Sequence, residues 1–207
     1  MIKFKKFGEI NESFHKVKGG AQEKIDEAKL EQLKQIKTIM AKHGAQWFLD
    51  CGTLLGAVRE KGFIKNDSDS DIGIRAKYVT EDLLSDLKEA FIVSRSGGNK
   101  DDFLTFGFTS KNEDGKKLVI EGTHIFCDLN VYYEIEDRQV YSLRLEGKKG
   151  PFYYLKSSTV NSGTKLMDLK GVKLPVLKNH LDQLDEMYDN WKTPNRSKTA
   201  YPNRCTS

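Results

Sequence analysis

The chain has 207 residues, 31% charged and 38% apolar, with a formal net charge of +4. That length fits one domain, or one domain with a small appendage, and buries enough surface for a core without staples. Most lysines sit beside acids, which argues against nucleic-acid binding by bulk charge, and no run approaches the ~18 apolar residues of a membrane span.

Residues 1–20 read as an irregular lead-in ending in Lys18-Gly19-Gly20. Their basic start has no apolar stretch after it, so it is not a signal peptide; it reads as exposed, with peripheral contact to an anionic membrane surface as the alternative. One domain is expected over 21–194 and a loose tail over 195–207. From Ala21 to His43, Ile25, Ala28, Leu30, Leu33, Ile36, Ile39 and Met40 approximate one helical face, with Gly44 placed as its C-cap. Ala45 to Asp50 predicts a short buried strand. Gly52-Thr53 turns the chain into a helix over Leu54 to Arg59, which Lys61-Gly62 ends.

Asp67, Asp69 and Asp71 then recur at every second position and run into the apolar Ile72-Gly73-Ile74, a strand from Asp71 to Arg75. Thr80 is the expected N-cap of a helix to about Ala90. A strand follows over Phe91 to Ser94, then a loop at Ser96-Gly97-Gly98-Asn99. Phe103, Phe106 and Phe108 mark a strand that turns at Asn112–Gly115 and pairs with Lys117 to Glu121 as a hairpin. His124 to Tyr133 is the most strand-like segment of the second half and carries a lone acid, Asp128, between Cys127 and Leu129. Arg138 to Leu145 is a further strand, Gly147 to Gly150 a turn, and the stretch to Gly163 irregular. A short strand from Leu169 to Pro175 and a helix from Asn179 to Trp191 close the domain.

Cys51, Cys127 and Cys205 show no metal-binding or disulfide spacing. Cys51 and Cys127 read as buried small hydrophobes, and the odd, sparse count favours a reducing, cytoplasmic setting.

Carboxylates facing one way repel each other unless a cation lies between them. Asp69 and Asp71 on one strand, with Asp128 from a neighbouring one, have the logic of phosphoryl transfer assisted by Mg²⁺ or Mn²⁺, a hard ion that takes one or two carboxylates plus substrate phosphates. The turn at Gly52 and Thr53 would offer backbone N–H groups and a helix N-terminus to a phosphate. Lys165, after Ser162-Gly163-Thr164, is a loop lysine within possible reach of a phosphate or simply solvated. Asp67-x-Asp69-x-Asp71 also opens a calcium loop of the EF-hand type, but the required Gly and Glu are Ile72 and Tyr78. A solvated acidic turn is the remaining structural reading.

Gly52-Thr53-Leu54-Leu55-Gly56-Ala57-Val58-Arg59, Gly62-Phe63-Ile64, the aspartates and Asp71-Ile72-Gly73-Ile74 resemble the signature of the LicD/fukutin-type transferase family. Gly171 to Pro175, Tyr188-Asp189-Asn190-Trp191 and Pro194 are similar to its closing motif. The resemblance implies an α/β (α+β) polymerase-beta-type nucleotidyltransferase fold, a mixed central sheet flanked by helices. It implies transfer of phosphocholine or a polyol phosphate from a CDP-linked donor to a glycan or lipid-linked glycan, in cell-surface polysaccharide or glycoconjugate modification, with Mg²⁺ or Mn²⁺. Carried over by position, Asp69 and Asp71 bind the metal and Asp128 either completes the cage or acts as base. Gly52 and Thr53 cradle phosphate, Asp67 lies behind the metal or on the substrate side, and Arg59 neutralises charge or pairs with an aspartate. Lys65-Asn66 stands where the family has Pro-Trp, Ser68 replaces an acid, and Asp189 replaces a glycine, so donor and acceptor stay open. A nucleotidyltransferase that uses a nucleoside triphosphate, and a non-catalytic binding module, are the alternatives.

Overall fold

The computed structural model describes residues 3–6, 21–98, 103–145, 148–193 and 203–206. Its first long element, α1 (Ala21–Lys42), buries Ile25, Leu33, Ile36 and Met40 along one face, as the apolar spacing predicts, and Gly44 takes φ +60° just beyond its end. Lys29 and Gln32 are buried on the same face, and Lys29 leads to the site described below.

The central sheet grows from β2 (Trp47–Leu49), which pairs antiparallel with β3 (Asp69–Arg75). Between them lies α2 (Cys51–Arg59), which starts three residues earlier than the sequence suggests. The reason is Asp50, an N-cap whose carboxylate accepts from the Cys51 N–H at 2.9 Å. Gly73 is required by packing, because a Cβ there would lie 2.3 Å from the Phe48 ring.

A 3-10 turn, Ala76–Tyr78, leads to α3 (Glu81–Ala90), where the Thr80 hydroxyl accepts from the Leu83 N–H as an N-cap should. Next come β4 (Ile92–Gly97) and β5 (Thr105–Thr109), an antiparallel pair. The expected loop at 96–99 is therefore strand as far as Gly97, while Asn99 lies outside the described residues. The expected hairpin between β5 and residues 117–121 is not formed. The turn itself closes just beyond β5, through the Lys111 to Lys117 bridge, the Leu118 N–H to the Ser110 carbonyl at 2.7 Å and the Asn112 N–H to the Lys116 carbonyl at 2.8 Å, and β6 (Val119–Ile120) then pairs with β7 (Thr123–His124). The β5 edge is taken instead by β8 (Phe126–Ile135).

β8 is the hinge of the architecture. Its first half lies between β3, in parallel, and β5, antiparallel; its last residues pair with β9 (Arg138–Leu145). The parallel register sets Asp71 directly opposite Asp128. β10 (Lys148–Lys156) continues the sheet and α4 (Ser157–Val160) follows, correcting the irregular stretch expected there. The lysines and Gly150-Pro151 gave that strand no apolar pattern to read.

β11 (Thr164–Leu169) and β12 (Val172–Leu177) form a hairpin against β2 in place of the one short strand expected, and α5 (His180–Met187) is shorter than expected. Finally β13 (Asn203–Thr206) pairs with β10 and with β1 (Lys3–Lys6), so these parts of the expected lead-in and tail are strands. The rest of both, with Pro194 and Gly147, lies outside the described residues. The mixed sheet with flanking helices is the fold class read from the sequence. Among the described residues no helix is long and apolar enough to cross a membrane.

Candidate active site

β3 and β8 carry the acids. Alternation along β3 sends Ser70 and Ile72 into the core and leaves Asp69 and Asp71 half-buried on the other face. In-register pairing puts Asp128 beside Asp71 on that same face, with neighbouring strands about 4.8 Å apart. The strand-borne acids of the sequence reading are thus assembled from segments far apart in the chain. Gly107 of β5 lies opposite Asp128, and a Cβ there would come within 2.5 Å of the Phe126 ring and 3.1 Å of Asp128 Oδ1. Glycine at this position leaves the Phe126 ring room to lie against β5 beside Asp128.

The start of α2 meets these acids edge-on. The Gly52 N–H donates to Asp71 Oδ2 at 3.2 Å, and the Asp71 N–H donates to Thr53 Oγ1 at 2.8 Å. A Cβ on Gly52 would lie 3.4 Å from carboxylate oxygens of both Asp67 and Asp71, in ordinary contact, so both carboxylates stand close to this turn. The amide expected to meet a phosphate thus meets the Asp71 carboxylate, itself an anion at a helix N-terminus. The Thr53 side chain is buried and ties α2 to β3.

Beneath the turn lies a buried polar hub that the sequence did not single out. Asp50, fully buried, accepts from Gln183 Nε2 at 2.7 Å, Tyr132 Oη at 2.8 Å and Asn130 Nδ2 at 3.0 Å, besides the Cys51 N–H. Burial raises the Asp50 carboxyl above its ordinary range, and these donors oppose that rise. The hub holds Cys51 at φ +39°, a left-handed conformation that costs a non-glycine residue about 1–3 kcal/mol. Cys51 and Cys127 are both buried, and burial pushes the Cys127 thiol well up, with Asp71 and Asp69 adding to it.

Among the described residues, Lys29 and Arg95 meet the acids. Lys29 of α1 is wholly buried; its Nζ donates to the Asp67 carbonyl at 3.2 Å, lies 3.6 Å from Asp67 Oδ2 and stands 4.4 Å over the Phe63 ring. Arg95 of β4 donates through Nη2 to Asp128 Oδ1. Burial lowers the Arg95 guanidinium below its ordinary value, while Asp71 and then Asp69 pull it back up. Neither cation was found from the sequence: Lys29 looked like one of many helix lysines, and Arg95 lay at the edge of an expected loop.

Arg59 is placed elsewhere. Its Nε donates to Glu60 and its Nη1 to the Trp191 carbonyl at 3.1 Å, so it ties α2 to the C-terminal segment and, among the described residues, pairs with no aspartate. Lys165 is exposed on β11.

Among the described residues, no three His, Cys, Asp or Glu side chains close on one point as a metal cage. Asp128 meets Arg95, and Asp67 is turned to Lys29. What remains for a cation is the pair Asp69 and Asp71, an all-oxygen donor set suited to Mg²⁺ or Mn²⁺ with substrate phosphates completing the shell. A guanidinium already drawn to this group of acids marks it as a place for positive charge, so the residues fit such an ion. Beside Asp69 opens a cleft of about 330 Å³, lined by Ser68, Ser94, Thr109, Lys117, His124 and Phe126 among others.

Among solved structures, the lincosamide antibiotic adenylyltransferase LnuA, lincomycin-bound, is similar at a TM-score of 0.43 and 14% identity, over 80% of this chain and 89% of that one. A putative nucleotidyltransferase from Thermotoga maritima is similar at a TM-score of 0.40 and 17% identity, over 77% and 83%. Comparison with curated proteins gives no match. The family model described as LicD/FKTN/FKRP, nucleotidyltransferase domain, matches residues 44–179. That span holds α2, the aspartates of β3, Asp128 and the Gly171 to Pro175 part of the closing motif, while its part at 188–194 lies beyond it. The chain belongs to the LicD/FKTN/FKRP family and is an enzyme of the phosphotransferase or nucleotidyltransferase type.

Proposed function

We propose that the protein transfers a phospho-alcohol, phosphocholine- or polyol-phosphate-like, from a CDP-linked donor to a hydroxyl of a glycan or lipid-linked glycan. The observation that carries this reading is the register of β3 and β8, which sets Asp128 beside Asp71 on the face that meets the start of α2, inside the family's domain. Asp69 and Asp71 would hold Mg²⁺ or Mn²⁺, and the bound ion would supply charge neutralisation to the donor's phosphates.

The chain's own residues do the rest. Asp128 is the assigned base: the acceptor oxygen forms the new P–O bond, the P–O bond to CMP breaks, and the hydroxyl proton passes to Asp128. Gly52 and Thr53 fix where Asp71 stands. Asp67, balanced by Lys29, adds no further free charge to the metal pair. The open cleft beside Asp69 gives the acceptor a polar approach. The reading includes modification of a surface polysaccharide or glycoconjugate and a cytoplasmic setting, where Cys51 and Cys127 stay thiols.

A thermal-shift panel with Mn²⁺ and CDP-choline, CDP-glycerol, CDP-ribitol, CTP and ATP tests it, because a ligand of the native state raises the melting point. A CDP-alcohol should stabilise most, and incubation with labelled donor should release CMP. Stabilisation by a triphosphate alone, with release of pyrophosphate, refutes the CDP-donor reading in favour of nucleotidyl transfer.

A further inference from the structure

Arg95 has no place in the transfer scheme above, yet it is built into the site. It stands where β4 slips register against β5, between Val93 and Arg95, and such a bulge re-aims a side chain. Its guanidinium lies 5.5 Å from the centroid of the Phe126 ring and donates to Asp128 Oδ1. Its Nε is buried and has no hydrogen-bond partner among the described residues. A buried donor left unpaired is costly and asks for an explanation.

One guanidinium therefore serves Asp128 directly and Asp69 and Asp71 through space. We propose that Arg95 is an internal counter-ion for these acids, and that it moves from Asp128 to a donor phosphate when a divalent ion and nucleotide load. The inference rests on the transfer reading and adds to it how the site is armed. While Arg95 holds Asp128 Oδ1, that oxygen is open neither to an ion nor to an acceptor proton. A guanidinium fits carboxylate and phosphate through the same planar fork, so the exchange trades one anionic partner for another. Presented to a phosphate, the fork also gives the orphaned Nε an acceptor.

The test is calorimetry on the full chain with Mn²⁺ alone, CDP alone and the two together, for wild type, R95Q, R95K, D128N and R95Q/D128N. Removing the competing cation should let R95Q bind Mn²⁺ alone about tenfold more tightly than wild type, an ordinary coupling between two ligands. R95Q/D128N should lose that gain, because the carboxylate it uncovers is gone. CDP should strengthen Mn²⁺ binding in wild type and not in R95Q. D128N, with Arg95 released, should bind CDP without metal more tightly than wild type. R95K keeps the charge but not the fork, so it should weaken the CDP effect with little change for Mn²⁺ alone; it also serves if R95Q fails to fold. Wild-type Mn²⁺ affinity in R95Q, or an undiminished CDP effect in R95K, overturns the exchange while leaving the transfer reading intact. No binding of Mn²⁺ with CDP by wild type overturns both.

Discussion

Asp50 is the point at which stability and site geometry can be separated by two substitutions. It accepts four hydrogen bonds, two on each oxygen: Cys51 N–H and Gln183 Nε2 on Oδ1, Asn130 Nδ2 and Tyr132 Oη on Oδ2. Asp50→Ala strands all four donors in the core, and at about 1–3 kcal/mol for each unsatisfied group the sum reaches roughly 4 kcal/mol or more. That is a large share of the ~5–15 kcal/mol that holds a domain folded. Asp50→Asn keeps the shape and one acceptor oxygen. Its amide nitrogen can face the Asn130 and Tyr132 side, where a flipped amide and a rotated hydroxyl both accept. The loss is then the charge assistance alone, about 1–2 kcal/mol. Urea denaturation followed by circular dichroism measures both variants. A cost below about 1.5 kcal/mol for Asp50→Ala would refute the hub, since even one orphaned buried donor nearly reaches that figure. The pair also carries a pH signature. Because the folded Asp50 carboxyl is raised above 3.8, the folded chain keeps this proton where the unfolded chain has released it. Its contribution is full below pH 3.8 and is lost as pH rises through the raised folded value. The stability difference between wild type and Asp50→Asn should therefore shift in favour of wild type as pH falls through that window, and a flat difference would contradict the assignment.

Three further substitutions probe the frame around the acids. Asp69→Asn should abolish Mn²⁺ binding and Mn²⁺-dependent turnover while changing apo stability by less than about 1 kcal/mol, since it removes one of several like charges; calorimetry and denaturation together check it. Lys29→Met removes the buried partner of Asp67 and should cost about 3 kcal/mol, with part recovered in K29M/D67N; a double-mutant cycle that shows no coupling would contradict the pairing. Gly73→Ala drives a methyl into the Phe48 ring and should cost about 1–3 kcal/mol, less in a Phe48→Leu background, as read from melting curves.

The elements that the sequence predicts well are those whose signal is local. The 3.6-residue spacing in α1, the Thr80 cap of α3 and the alternation through Asp69-Ser70-Asp71-Ile72 each sit within a few neighbouring residues. Asp128 could be picked out because a carboxylate inside an apolar strand is conspicuous, although its partner strand could not be read. β10, the β11–β12 hairpin and the last residues of β4 were missed for the opposite reason. Their lysines, glycines and proline carry no apolar period, and distant strands stabilise them by pairing. The β5 edge shows the same competition: a local turn suggested a hairpin, and the long-range pairing with β8 took the edge instead.

The site follows the same division. Its anions lie mostly on one contiguous segment, Asp50 to Asp71, and a sequence shows them at once. Its cations come from elsewhere, Lys29 from a helix more than a strand and a turn upstream and Arg95 from a bulged strand downstream. Like charges held on rigid strands must be balanced for the chain to fold before any metal arrives. That balance can only be supplied by groups whose position depends on the finished tertiary structure. The two cations are not equivalent. Lys29 is wholly buried behind the half-buried Asp67, whereas the Arg95 side chain keeps 23% of its surface exposed. A buried counter-charge fixes a loop, and a half-open one can be exchanged. The pair Asp69 and Asp71 was legible because its residues are neighbours in the chain; how its charge is balanced within the fold becomes visible only where α1, β4 and β8 meet.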